Sequence, residues 1–266
     1  MSTPNSLDDE LAGRVAVVTG AGRGIGAVTA ALLARRGAAV ALLDRDEPGA
    51  KRVAAEIEQA GGRALAIGAD LLDPAAIEAA FARVRDELGG VDALVLNHTV
   101  HPCGSVLETD AGEWDLSLEI NLRGTFLCAK AALPSMIERG GGSVVGLASD
   151  CVIRSCRNAA AYVASKAGIV ALMRSIAIDY AADNVRANAV TPGATDTPGL
   201  RGAFSVEGRD LEESIARAAG QSPLGRLGAP KDVAEMIAFV CSDRAAFVTG
   251  AELLVDGGMT IGYAAD

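Results

Sequence analysis

Tyr162 and Lys166 have the types and the spacing for proton transfer at a hydroxyl or carbonyl oxygen. Among Tyr162, Tyr180 and Tyr263, only Tyr162 is followed four residues later by a lysine, and on a helix that separation puts both side chains on one face. An ammonium close by lowers a phenol's pKa from about 10, at about 1.4 kcal/mol per unit, bringing a phenolate within reach near neutral pH. An aromatic beside a snorkelling lysine also arises by chance on many helices, so the pair needs company. Ser149, thirteen residues before Tyr162, ends the apolar run GSVVGLAS. A hydroxyl there lies where ligands of open α/β sheets bind, outside the carboxyl ends of strands, although a strand-terminal Ser also caps turns.

A second cluster has the chemistry of anion binding. Thr19-Gly20-Ala21-Gly22-Arg23-Gly24-Ile25-Gly26 follows the apolar run RVAVV and leads into helical spacing. Glycine is needed where the backbone turns with positive φ, where a pyrophosphate approaches the main chain, and where a helix packs tightly on a strand. The free N–H groups of the helix start then face the phosphates. Asp44 ends the next strand-like run, AAVALLD, 18 residues beyond Gly26. A carboxylate there accepts hydrogen bonds from ribose hydroxyls and repels a 2′-phosphate, so NAD is favoured over NADP, with Arg23 and Arg45 the groups that would oppose this.

These groups need a scaffold, and the sequence supplies one. RVAVVTG, AAVALLD, ALAIGAD, DALVLN, GSVVGLAS, VRANAVT and AELLVDG have strand length and alternate with stretches of helical spacing. Near-continuous apolarity in strands means both faces are covered, which predicts α/β architecture: a single Rossmann-like, doubly wound parallel sheet of about seven strands between helix layers. Residues 158–183 are apolar around nearly the whole helical circumference, which requires burial on more than one side, within the chain or against another copy. At 266 residues, half of them apolar, the chain suits one domain with a full core. Residues 1–12 read as a flexible tail and 13–266 as the cofactor-binding and catalytic domain.

The formal net charge of -10 argues against nucleic acid or anionic lipid as partners. No apolar run reaches the roughly 18 residues of a membrane span, and the N-terminus lacks the layout of a signal peptide. Cys103, Cys128, Cys151, Cys156 and Cys241 form no C-x-x-C pair, and their odd number argues against a disulfide framework and for a reducing cytoplasm. His98, His101 and Cys103 lie close enough to suggest a metal, but no further ligands complete a site. They are read as packing by the cofactor or lining the pocket, with no metal.

The motifs TGAGRGIG, Asp44, Asp70, Asn121, Ser149, Tyr162-x-x-x-Lys166 and Pro192-Gly193-Ala194-Thr195-Asp196-Thr197 resemble, in order and spacing, the short-chain dehydrogenase/reductase family, Tyr-x-x-x-Lys type with a TGxxxGxG cofactor motif. The resemblance covers residues 15–258. It implies Tyr162 as general acid/base, Lys166 as the group that lowers its pKa and holds the nicotinamide ribose, and Ser149 as the positioner of the substrate oxygen. It implies that Asn121 anchors a water linking Lys166 to solvent. Cofactor contacts would fall to Gly20, Arg23, Gly24, Ile25, Gly26, Asp44, Asp70, Leu71, Asn97, Tyr162, Lys166, Pro192, Gly193, Thr195 and Thr197, with Asp70 at the adenine and the Pro192-Gly193 turn with Thr197 at the nicotinamide amide. One motif departs: the family usually has Asn-Asn-Ala-Gly where this chain has Leu96-Asn97-His98-Thr99, which places a side chain at a position where the backbone lies close to cofactor.

By the same resemblance, residues 199–222, read as one short amphipathic helix in flexible sequence, form a lid that excludes water. Residues 150–158 form another wall, and Ser149, Cys151, Asn158 and Tyr162 meet the substrate. Arg154 and Arg157 are candidates for an anionic group, or plain surface charge. The implied activity is interconversion of a secondary alcohol and its ketone with NAD, in the oxidative direction, by a homotetramer built on the helices of Asn121 and Tyr162, with Tyr263 a candidate to reach a neighbour's site. The rival readings are an NADP-dependent reductase of the 3-oxoacyl type and a nicotinamide-sensing module without turnover.

Overall fold

The computed structural model describes residues 9–206 and 210–262. The expectations for Tyr263 and for the tail before residue 9 lie outside these. Seven strands form one parallel sheet: β1 (Val15–Thr19), β2 (Ala39–Asp44), β3 (Arg63–Gly68), β4 (Ala93–Leu96), β5 (Gly142–Leu147), β6 (Val185–Pro192) and β7 (Glu252–Val255). Their order is β3-β2-β1-β4-β5-β6-β7. The chain runs outward from β1 in one direction and from β4 in the other, so the carboxyl ends of these two strands flank the crevice where such sheets bind ligands.

Both faces of the sheet are buried, and the pleat sorts them. Val15 and Val17 of β1 point into one cluster with Ala41 and Leu43 of β2, while Ala16 and Val18 join Val40 and Leu42 in the other. The first cluster is closed by α3 (Pro74–Leu88), α5 (Gly124–Glu138) and α7 (Ala160–Asp179); the second by α1 (Gly24–Arg35), α2 (Glu47–Gln59) and α10 (Pro230–Cys241). This is the three-layer arrangement that continuous apolar strands require.

The termini of α1 and α3 follow sequence chemistry. Gly37 follows α1 with φ +93°, and the Arg36 amide donates to the Leu32 carbonyl of its last turn. Asp73 caps α3 through the Ala75 amide, with Pro74 at its first position. Residues 9–12, expected with the tail, are folded instead: Leu11 is buried in the core and its amide donates to the Arg36 carbonyl at 2.8 Å. Arg36 also pairs with Glu10 and Glu235.

Helix α7 is the one helix among the described residues long and apolar enough to cross a membrane. Here its inner face, including Ile169, Val170 and Met173, belongs to the core. Gly168 lets it close on Leu122 of the same chain: a Cβ at Gly168 would stand 2.7 Å from Leu122 Cδ2. Leu122 lies in a π-helical stretch, Leu118–Arg123, joining α4 (Ala111–Ser117) to α5. The expected lid holds two helices rather than one, α8 (Pro198–Val206) and α9 (Leu211–Gly220).

Candidate active site

The glycine turn sits at the end of β1, and its glycines are required by space. Gly20 has φ +63° and Gly24 φ +59°, and a Cβ at Gly26 would lie 2.1 Å from the Gly20 carbonyl oxygen. Helix α1 starts at Gly24 with no side-chain cap, which leaves its first-turn N–H groups free to meet an anion. Ile25 in this turn is half-buried, and Arg23 is exposed at its rim.

Three side chains hold the turn. Asp44 Oδ2 accepts from the Gly22 amide at 2.8 Å, while Oδ1 accepts from the Asp46 amide at 2.9 Å. Asn97 Nδ2 donates to the carbonyls of Thr19 and Gly20 at 3.1 and 2.9 Å. Arg52, not anticipated from sequence, donates to the Gly22 carbonyl at 3.0 Å. At the neighbouring strand end, Asp70 is exposed and accepts from the Leu72 amide at 3.0 Å, and Leu71 is buried.

Across the crevice stand the candidate reacting groups. Ser149, just beyond the end of β5, is buried; its hydroxyl donates to Asp150 Oδ1 at 3.3 Å and hydrogen-bonds the Tyr162 phenol. Lys166 is buried, its Nζ donating to the Leu147 carbonyl at 2.8 Å and lying 5.8 Å from the centre of the Tyr162 ring. The expected depression of the Tyr162 pKa by this amine is not what the structure gives. Burial raises the phenol's pKa, the Ser149 hydrogen bond lowers it, and the Asp150 carboxylate raises it further. Burial of Lys166 brings its own pKa from 10.5 down to about 7, so the amine exchanges its proton near neutrality.

Asn121 is fully buried in the π-helical stretch. Its amide joins the Val100 backbone on both sides, Oδ1 accepting from the Val100 amide at 2.8 Å and Nδ2 donating to the Val100 carbonyl at 2.9 Å. Nδ2 also reaches Ser165 Oγ at 3.0 Å, next to Lys166. The side chain expected to anchor a water thus ties the β4 loop to α7.

The Pro192-Gly193 turn closes the crevice from β6. The Pro192 carbonyl accepts from the Asp150 amide at 3.0 Å, and a Cβ at Gly193 would stand 2.9 Å from Asp256 Cα. Thr195 Oγ1 donates to the Gly193 carbonyl at 2.9 Å, and Thr197 Oγ1 accepts from the Leu200 amide at 3.1 Å at the start of α8. Thr197 also approaches the glycine turn: a Cβ at Gly24 would meet it at 3.6 Å.

The substrate wall differs from expectation in its cysteines. Cys151 and Cys156 form a disulfide, although the cysteine count and spacing argued against a disulfide framework. The short helix α6 (Cys151–Arg154) and Ser155 at φ +58° fold the segment back, so the two Cα atoms stand 5.1 Å apart, within reach of a disulfide. Arg154 is not free for an anionic substrate. It pairs with the buried Asp150 at 2.6 Å and donates to Gln221 Oε1, beyond α9, at 2.8 Å. Asn158, exposed with φ +53°, accepts from the Gly104 amide through its backbone carbonyl at 2.9 Å. The His101 ring stacks on the Tyr162 ring with centroids 4.1 Å apart. Both histidine pKa values are lowered by burial and by Lys166, His98 to about 3.

A family model described as enoyl-(acyl carrier protein) reductase matches residues 20–260. The 2-(S)-hydroxypropyl-CoM dehydrogenase 3 of Xanthobacter autotrophicus is 41% identical over 255 residues, covering 96% of this chain and 99% of that protein. The cis-4-hydroxycyclohexanecarboxylate dehydrogenase of Sinomonas cyclohexanicum is 44% identical over 255 residues with the same coverage. Among solved structures, a short-chain type dehydrogenase/reductase from Mycobacterium marinum superposes with a TM-score of 0.88 at 31% identity, covering 96% of this chain and 98% of that one.

Proposed function

The chain belongs to the short-chain dehydrogenase/reductase family of oxidoreductases, and from that premise we propose that it is an NAD-dependent dehydrogenase interconverting a secondary alcohol and its ketone. The observation that carries this reading is the meeting, at the carboxyl end of the sheet, of the Ser149 hydroxyl, the Tyr162 phenol and the buried Lys166 amine across from the glycine turn. The names of two relatives, both dehydrogenases of hydroxy compounds, support the alcohol class.

The residues present fit a dinucleotide. The turn leaves no room for a Cβ at Gly20 or Gly26, α1 offers uncapped amides, and at the strand end beyond, the carboxylates of Asp44, Asp46 and Glu47 outnumber Arg45 and disfavour a 2′-phosphate. Gly20, Arg23, Gly24, Ile25, Gly26 and Asn97 would border the pyrophosphate. Asp44 would take the adenosine ribose, Asp70 and Leu71 the adenine. Lys166 and Tyr162 would take the second ribose, and Pro192, Gly193, Thr195 and Thr197 the nicotinamide amide. Bound NAD supplies the hydride acceptor.

In oxidation the Tyr162 oxygen takes the hydroxyl proton of the alcohol while the Ser149 hydroxyl holds the same oxygen in place. Lys166, with a pKa near 7, passes a proton onward from its Nζ, and Asn121 shapes that path by fixing Ser165. Cys151 and Asn158 border the alcohol, and α8 and α9 cover it. Tyr162→Phe removes the proton acceptor and should cut alcohol-dependent NADH formation by about 10²- to 10⁴-fold, against a loss of NAD affinity of at most about tenfold for one ribose hydrogen bond. The same negligible rate in wild type and variant across sugars, polyols, steroids, hydroxyacyl thioesters and small cyclic alcohols would instead favour a binding module.

Exposed Trp114, Leu116 and Phe126 on α4 and α5 support assembly as a homotetramer. Light scattering on the eluting protein should report four chains, and a monomer would overturn this.

A further inference from the structure

His98 occupies the third position of Leu96-Asn97-His98-Thr99, where the family pattern has an alanine, and the proposed mechanism leaves it without a role. It is buried, at 7% exposure. Its Nδ1 stands 2.7 Å from Thr19 Oγ1, at the last residue of β1, and its Nε2 stands 3.1 Å from the Ile120 carbonyl oxygen, one residue before Asn121. A carbonyl can only accept, so the ring proton is on Nε2 and Nδ1 accepts from the Thr19 hydroxyl, whose proton also faces the Val95 carbonyl at 3.2 Å. Thr19 Oγ1 in turn accepts from the Asn97 amide at 3.0 Å.

Burial holds the imidazole neutral far below ordinary pH, so its donor and its acceptor roles persist together. The ring also has a seat made for it: a Cβ at Gly124, the first residue of α5, would lie 3.2 Å from Nε2. The π-helical stretch is a widened turn of a kind frequent at functional sites. His98 ties its Ile120 carbonyl to the end of β1. An alanine at this position makes neither bond.

We propose that His98 is a positioning residue, a strut that sets the Ile120–Asn121 peptide against the end of β1 bearing the glycine turn. It thereby couples the cofactor turn to the segment that braces Lys166, an inference that rests on the dehydrogenase reading. The two ends of the strut can be cut separately, because the amide of Gln reaches the place of Nε2 and the amide of Asn that of Nδ1.

The experiment measures the NAD Kd by calorimetry, which needs no turnover, alongside kcat for alcohol oxidation and Tm, in His98→Ala, His98→Gln and His98→Asn. His98→Ala should weaken NAD binding and lower kcat, each by up to about tenfold for one lost hydrogen bond. His98→Gln, which keeps the Ile120 bond, should restore kcat while NAD binding stays weak. His98→Asn, which keeps the Thr19 bond, should restore NAD binding while kcat stays low. Loss of kcat and of NAD affinity in step with Tm in all three variants, or no change in any, overturns the strut. A wild type that binds NAD but oxidises no alcohol overturns the dehydrogenase reading instead, and the order of NAD Kd values, Asn tighter than Gln, still decides the Thr19 end.

Discussion

The two sides of the crevice are built in different ways. On the dinucleotide side the backbone does most of the work: positive φ at glycines, amides of an uncapped helix, and one carboxylate that ties down a turn 22 residues earlier. On the alcohol side the wall is held by side chains from separated segments, with Arg154 bridging Asp150 and Gln221 and Asn121 bridging Val100 and Ser165. Its positive φ angles fall on Ser155 and Asn158, not on glycine. A backbone cradle recognises an invariant group such as pyrophosphate, whereas a wall of interchangeable side chains is shaped to one substrate.

Cutting the carboxylate on the dinucleotide side is the strongest test of this contrast. Asp44→Ala removes a charged acceptor, so calorimetry should show NAD binding weakened by about 10- to 100-fold, with discrimination against NADP relaxed and alcohol KM at saturating NAD unchanged. Unaltered cofactor preference would mean the acidic strand end does not select NAD. The acid/base chemistry lies at the seam between the sides. Oxidation needs the deprotonated Tyr162 oxygen, whose pKa burial raises, so kcat/KM should climb with pH into the alkaline range, by about tenfold per unit below the controlling pKa. Ketone reduction needs the protonated form and should stay level below that pKa and fall above it; the opposite trends would remove Tyr162 from the proton transfer. The smallest effect belongs to the wall. Arg154→Ala cuts a partly exposed latch and should raise alcohol KM about threefold. An equal change in NAD Kd would dissolve the distinction between the two sides.

Legibility in the sequence follows the same division. The glycine turn, Asp44 and Tyr162-x-x-x-Lys166 could be read because each is a local pattern whose spacing matches one turn, one strand end or one helix face. The sheet was legible because runs such as AVALLD are apolar on both faces, a pattern of covered parallel strands. The partners of Lys166 were not, since the Leu147 carbonyl lies 19 residues away and carries no side-chain signature. Nor was the direction of the Tyr162 shift, which depends on how deeply the ring is covered rather than on where the lysine falls in the chain. The partners of Asn121 escaped for the same reason, because both its bonds to Val100 are to backbone atoms. The one sequence signal for His98 was the departure from Asn-Asn-Ala-Gly, which marks the position without saying what the ring touches.

The link between Cys151 and Cys156 spans a separation of only five residues. Closing so small a ring denies the unfolded chain few conformations, a contribution of about 2 kcal/mol against nearly 5 for a ring of a hundred residues. Such a staple adds little to the fold's resistance to heat. Its effect is local: it fixes the contour of the short arc just after Ser149, the stretch that would border the alcohol in the proposed reaction.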